Sequence, residues 1–150
     1  MNSPILAPAA VLALWSMVML LWMAGTRLPA MAKVKDIIAS APPGGRGQDL
    51  DKILPASVNW KAHNYAHLME QPTVFYAVVM ILALTGQGGG INVQLAWGYT
   101  GLRIVHSIWQ ATVNTIFPVR FGLFLVSSIC LIVLAVNAVW VTLGGVAATR

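Results

Sequence analysis

The chain has 150 residues, 58% of them hydrophobic and only 9% charged, with a mean hydropathy of +0.76. Water-soluble domains carry about a quarter charged residues, so the composition excludes one and indicates an all-α integral membrane protein. The net charge of +5 reflects a topological bias and attraction to anionic lipid headgroups, and no nucleic-acid partner is expected.

Residues 4–26, 71–102 and 121–149 contain no Lys, Arg, Asp or Glu. A span needs roughly 20 apolar residues, and the run from Gly86 to Gly90 divides the middle stretch. The chain therefore reads as one domain, residues 1–150, forming a four-transmembrane-helix bundle with spans near 4–26, 57–86, 91–117 and 119–145. The opening "MNSPILAPAA" has no Lys or Arg to supply the basic segment of a cleaved signal, so the first span is expected to stay.

The segment 27–56 mixes Pro, Gly and charge, holds Asp36, Asp49 and Asp51, and is expected to form a partly ordered surface lid. Arg27, Lys33, Lys35, Arg46, Lys52 and Lys61 lie in or beside it, and Arg120 falls at the connection between the third and fourth spans. The positive-inside bias puts that side in the cytoplasm and both termini outside, which means the inner or plasma membrane in a bacterium. Pro55 followed by Ser57 suggests a helix start with Ser57 as N-cap. Pro72 should kink the second span, a break that neighbouring helices tolerate. "GQGGG" is a tight outer turn, Pro118 ends the third span, and Cys130, alone of its kind, reads as an inert buried thiol. Several of the six tryptophans fall near span ends, as interfacial indoles do.

The third span carries an anomaly. Tyr99, Arg103, His106, Gln110 and Asn114 step by four, three, four and four, and so share one helical face. The second span offers Asn64, His67 and Glu70, with His63 and Gln71 beside them. Counting from the shared turn at 1.5 Å per residue puts Glu70 roughly 24 Å down and Arg103 and His106 roughly 18 and 22 Å down. The same count levels His67 with Gln110 and Asn64 with Asn114. An Arg at mid-membrane costs at least about 3 kcal/mol, so a Glu70–Arg103 ion pair is expected, within a subunit or between neighbours. Structural glue between helices is the plain alternative. A second alternative is a zinc or iron site made of His63, His67, Glu70 and His106.

Glu70-x-Pro72 entering a span, "W-x-Y-x-x-L-R-I-V-H-S" from Trp97 to Ser107, and then Asn114 and Arg120 resemble the MAPEG family, the membrane-associated proteins of eicosanoid and glutathione metabolism. The resemblance covers about residues 55 to 145. It implies a homotrimer of four-helix bundles that holds glutathione in a cytosol-facing cleft between subunits and acts on a small hydrophobic substrate from the lipid, as transferase or peroxidase. Residue by residue, Glu70 resembles the acid that contacts the glutathione backbone, Arg103 the third-helix Arg near it, and His106 the His or Tyr one turn on. Arg120 resembles the catalytic Arg close to the sulfur. His63, Asn64, His67, Gln110 and Asn114 complete the implied glutathione-binding set. Members that use glutathione commonly show Arg-x-x-x-Asn-x-x-Glu where this chain has His63-x-x-x-His67-x-x-Glu70, and Gln110 occupies a face where some carry tyrosine. A non-catalytic scaffold or lipid-binding relative is the competing functional reading.

Overall fold

The computed structural model describes residues 3–148, which are helical almost throughout, with no strand among them. Five helices follow in chain order: α1 (Leu6–Lys33), α2 (Lys35–Ala39), α3 (Ala56–Leu84), α4 (Gly90–Thr112) and α5 (Phe121–Ala148). A 3₁₀ turn at Gly47–Lys52 and a π-type turn at Ile116–Arg120 complete the path. Three segments are long and apolar enough to cross a membrane: Leu6–Lys33, Ala56–Leu84 and Ile116–Gly144.

The fourth long helix, α4, is built inside out. Its buried residues include Asn92, Tyr99, Thr100, Arg103, His106, Ser107 and Gln110, whereas Ile91, Trp97, Val105 and Ile108 on its other side are exposed. Such a pattern suits a helix whose neighbours are helices on one side and acyl chains on the other, because lipid is as apolar as leucine and gives apolar groups no reason to hide.

The helices meet through a thin apolar core. Leu12 and Met19 of α1 are a heptad apart, and with Ile5 they pack against Leu68, Phe75, Val79 and Leu82 of α3, Ala96 and Tyr99 of α4, and Leu131 and Leu134 of α5. Interhelical hydrogen bonds add to this packing, as they must where burial alone contributes little. Thr100 Oγ1 donates to the Pro8 carbonyl of α1 (3.1 Å), and Asn137 Nδ2 of α5 donates to Asn92 Oδ1 of α4 (2.8 Å). Cys130 is a free, half-buried thiol that α5 brings against Gly98 of α4.

Several boundaries differ from the sequence reading. α1 runs past Thr26 to Lys33, about two turns beyond the expected span, and continues through Pro29 even though that residue has no N–H to give the helix. α3 starts at Ala56 with Pro55 at the cap, so Ser57 is not the N-cap. Asn59 secures this end instead, donating through Nδ2 to the carbonyls of Asp51 and Leu54 (3.1 Å each). Pro72, expected to kink the second span, lies buried inside α3, which continues through it. The loop is tied down by one carboxylate: Asp51 Oδ2 meets His63 Nε2 of α3 at 2.6 Å, and its Oδ1 lies 3.6 Å from Arg27 Nη2 of α1. Arg27 also donates to the Gly47 carbonyl.

The expected register between α3 and α4 is also corrected. His67 meets His106 as well as the expected Gln110, whereas Asn64 meets Ser107 rather than Asn114, and Gln71 meets Tyr99. His106 and Ser107 sit about one and two turns nearer the connection than an equal count predicts for the partners of His67 and Asn64. The cause is the connection. Gly86 (φ +74°) and Gly90 (φ +53°) turn the chain back through left-handed conformations, and the Gly88 carbonyl accepts from Ile5 N–H (3.1 Å). A Cβ on Gly88 would run into Ser3 and Ile5. The turn is docked against the start of α1 instead of standing as a symmetric hairpin tip, so the two helices do not end at one height.

Candidate functional site

The C-terminal end of α4 sets the site. Asn114 lies just past the helix in the left-handed region (φ +59°), a conformation Asn tolerates better than most residues. Its N–H and that of Val113 both donate to the Trp109 carbonyl (2.9 Å each), closing the last turn. The Trp109 indole donates to the Thr115 carbonyl (3.1 Å). Phe117 is extended, as the residue before a proline prefers, and the chain then re-enters a helix carrying Arg120. Its Nη1 donates to Asn114 Oδ1 at 2.8 Å. Asn114 therefore belongs to this junction and not to the α4 stripe, because the helix ended at Thr112.

Above that clamp lies a pocket of about 250 Å³ lined by His67, His106, Ile116, Arg120, Phe121 and Phe124. It opens at the end of the bundle that carries the basic loop, where α1 and α4 finish and α3 and α5 begin. The His67 and His106 rings are 5.1 Å apart, and His67 stacks on Phe124 at 5.8 Å. Phe117 and Phe121 stack at 5.1 Å beside Arg120. A guanidinium, two imidazoles and aromatic walls thus share one small concavity, which suits an amphipathic ligand with an anionic or nucleophilic head. A larger groove of about 660 Å³ along α5, from Ile132 to Gly144, is lined only by apolar and small residues at the far end of that helix, where it faces acyl chains.

Beneath the pocket a polar chain runs inward. Arg103 Nε donates to Tyr99 Oη (3.3 Å), Tyr99 Oη donates to Gln71 Oε1 (3.4 Å), and Gln71 Nε2 donates to Ser128 Oγ (2.9 Å). The Arg103 guanidinium lies 5.6 Å from the Tyr99 ring centroid and 5.7 Å from that of Phe124, near enough for its charge to be stabilised by both rings. A second node joins three helices: Asn64 Nδ2 and Trp15 Nε1 both donate to Ser107 Oγ, at 2.6 and 2.9 Å. Trp15 is thus an interhelical donor and not a belt residue.

The structure brings together Arg120, Asn114, His67 and His106, with Arg103, Gln110 and Asn64 buried behind them. It does not bring in Glu70 or His63. Glu70 is exposed and forms no ion pair among the described residues, so the Glu70–Arg103 bridge within a subunit is absent. The reason is helical phase. Asn64, His67 and Glu70 are spaced by three, each step falling about 60° short of a full turn, so Glu70 has swung roughly 120° from Asn64 and off the buried face. His63 is turned to Asp51. With both removed, no group of three or more His, Cys, Asp or Glu that could hold a metal ion exists among the described residues, and the metal reading loses its donors. Sequence reasoning missed Ser107 and Phe124. Both had a signal, since Ser107 is four residues past Arg103, and Arg120, Phe124 and Ser128 step by four.

The MAPEG family model matches residues 5–140, nearly the whole chain. The chain belongs to the MAPEG family. It is an integral membrane protein of that family, whose apolar helices embed it in lipid. No curated protein and no solved structure matches it. The match includes α1, which the sequence resemblance over residues 55 to 145 matched only in character, and it runs through every residue of the pocket.

Proposed function

We propose that this MAPEG protein is a glutathione-dependent membrane transferase or peroxidase acting on hydrophobic electrophiles or lipid hydroperoxides. The subunit spans the membrane four times, with the basic loop in the cytoplasm and both termini outside, and assembles as a homotrimer. The observation that carries the reading is Arg120, held by Asn114 at the wall of an aromatic pocket on the loop side of the bundle. Family membership supports glutathione as the thiol. Exposed Glu70 and His63, on the outer flank of α3, would contact a peptide bound between subunits, while Asn64 and Gln110, buried inside the subunit, would support the site from behind.

In this reading Arg120 orients the glutathione sulfur as a thiolate. A guanidinium that lowers a thiol's pKa from about 8.5 to about 6.5 raises the thiolate at neutral pH roughly 25-fold. Nucleophilicity falls with pKa and removes about eightfold of that, leaving about threefold. Holding thiolate and electrophile together in line carries the rest, since effective molarities for oriented pairs reach 10⁵ M or more. In transfer, sulfur bonds to the electrophilic carbon and the displaced or product anion takes a proton. In peroxide reduction, sulfur takes the terminal oxygen and the alcohol leaves protonated, a second glutathione then giving disulfide and water. His67 and His106 stand at the pocket as the proton-handling groups. Arg103, behind Phe124, acts on the site through its position and charge.

The test is calorimetric titration of the detergent-solubilised protein with glutathione, paired with ultraviolet absorbance of the bound thiolate. Binding with a thiolate signal that Arg120→Ala abolishes is the expected result. No binding up to millimolar glutathione would overturn the reading and leave a scaffold or lipid-binding role.

A further inference from the structure

The loop between α1 and α3 leaves a cleft of about 470 Å³ against the end of α1. One wall is α1 itself, where Thr26, Pro29, Ala30 and Lys33 step by three, one and three and so share a face. The other wall is Ile53, Leu54 and Pro55 of the loop with Val58 of α3. The charge-free run of α1 ends at Thr26, and Lys33 stands roughly 10 Å further along the helix, about the depth of the headgroup layer on one side of a bilayer. The Lys61 ammonium over the Trp22 ring (5.8 Å) marks the same boundary, since indoles favour the membrane interface. The cleft therefore starts at the edge of the acyl region and ends among headgroups.

Its chemistry is graded in the same sense. The foot is apolar apart from Thr26, whose hydroxyl is already donated to the Trp22 and Met23 carbonyls (3.0 and 3.1 Å). At the other end Lys33 is exposed and has no carboxylate within ion-pair reach among the described residues. Pro55 caps α3, so the positive end of that helix dipole enters the wall as well. No acid lines this cleft, whereas in the neighbouring cavity of about 320 Å³ on the other side of Ile53 the Asp49 carboxylate shares the wall with Arg46.

We propose that the cleft seats one anionic glycerophospholipid per subunit, drawn from the leaflet on the loop side, with its phosphate at Lys33 and the upper part of one acyl chain along Thr26, Ala30 and Val58. A zwitterionic lipid offers the same phosphate but brings its own cation to the place where Lys33 and the start of α3 stand, so charge selects the anionic one. A free phosphate would leave the apolar walls uncovered. The general attraction of the basic loop for a charged surface is a different matter, because any of its lysines serves that equally. The cleft shares no residue with the Arg120 pocket, and the proposal holds whether or not glutathione binds there.

The experiment is native mass spectrometry of the full chain in detergent, titrated with phosphatidylglycerol, phosphatidylcholine or oleate and read as lipid retained per subunit. Phosphatidylglycerol is expected to saturate at one tightly held copy per subunit, with the other two retained far more weakly. Lys33→Gln should weaken that copy at least about tenfold, as the loss of one hydrogen bond between charged groups does. Lys35→Gln, outside the cleft, should leave it nearly unchanged. Ala30→Leu keeps every charge and narrows the cleft, and should also weaken it; if that variant fails to fold, the two lysine variants, both at exposed positions, still decide. Phosphatidylcholine held as tightly would mean a groove blind to charge, and oleate held as tightly would mean a fatty-acid site. Equal losses in Lys33→Gln and Lys35→Gln would mean diffuse attraction. Each of these, or binding indifferent to Lys33→Gln or to a folded Ala30→Leu, would overturn the proposal.

Discussion

Arg103 and Arg120 are the same side chain in two settings a short distance apart along the chain. Arg120 sits half-buried where α5 begins, with one nitrogen donated to a neutral amide and the rest facing a pocket. Arg103 is enclosed, lies 5.6 and 5.7 Å from the Tyr99 and Phe124 ring centroids, and is joined through one nitrogen to a chain of neutral groups. Neither has a carboxylate partner among the described residues. The difference lies in access: a guanidinium held at a pocket wall can meet a substrate, whereas one locked under a floor of rings can only shape the field and packing around it.

The sharpest way to break that comparison is to remove the accessible member. Arg120→Ala should lower kcat/KM for a glutathione-dependent reaction by roughly a hundredfold, the usual effect of deleting one preorganised charge-stabilising donor, while the thermal midpoint in detergent changes little. If activity is unaltered, Arg120 is no more functional than its buried counterpart. A gentler probe separates holding from presence. Asn114→Gly keeps the left-handed turn, which glycine adopts freely, and removes only the amide that positions Arg120. Activity should fall about tenfold, equivalent to about 1.4 kcal/mol, with stability retained. Asn114→Ala should add a stability loss of about 1 kcal/mol, because a Cβ is strained in that conformation. Equal stability for the two variants would show that the turn imposes no such strain.

How much of this was legible beforehand depended on which physical constraint each feature obeys. The stripe on α4 was readable because polar groups aligned in an otherwise lipid-compatible helix have few explanations. Arg120 was readable through the family resemblance. The partners were not, because pairing across helices depends on register and phase. Register was misjudged at the Gly86–Gly90 connection, whose docking against Ile5 no local pattern announces. Phase was misjudged at Glu70, where spacing by three was taken for a constant face although the error grows by about 60° per step. Arg103 was expected to need an acid and instead found Tyr99 and Phe124, the latter signalled only by its step of four from Arg120 and to Ser128 within an apolar run.

The enclosed member can be tested through its only hydrogen bond among the described residues. Tyr99→Phe leaves the ring against Phe75, where the two stack at 4.4 Å, but takes the hydroxyl from between Arg103 Nε and Gln71 Oε1. The midpoint should fall by the equivalent of about 1 kcal/mol, a typical cost for one buried donor left unmet. If Tyr99→Phe is neutral, the ring faces alone hold Arg103, and the polar chain beneath the pocket is incidental.

Arg27 extends the comparison to a third setting, and the smallest effect is expected there. Unlike the other two it does have a carboxylate, at 3.6 Å in Asp51, which also meets His63. A formal ion pair would suggest the largest contribution of the three. The setting says otherwise, since the Asp51 side chain is 30% exposed and that of His63 48%, so water and salt screen the attraction. Asp51→Asn should lower the midpoint by the equivalent of only about 0.5 kcal/mol, with the difference shrinking further in high salt, as exposed pairs do. The backbone carbonyl that Asn59 uses is untouched by the substitution, so the start of α3 keeps its anchor. A loss several times larger, unresponsive to salt, would mean that the loop is locked down by charge after all and that access, rather than partnership, is the wrong way to rank the arginines of this protein.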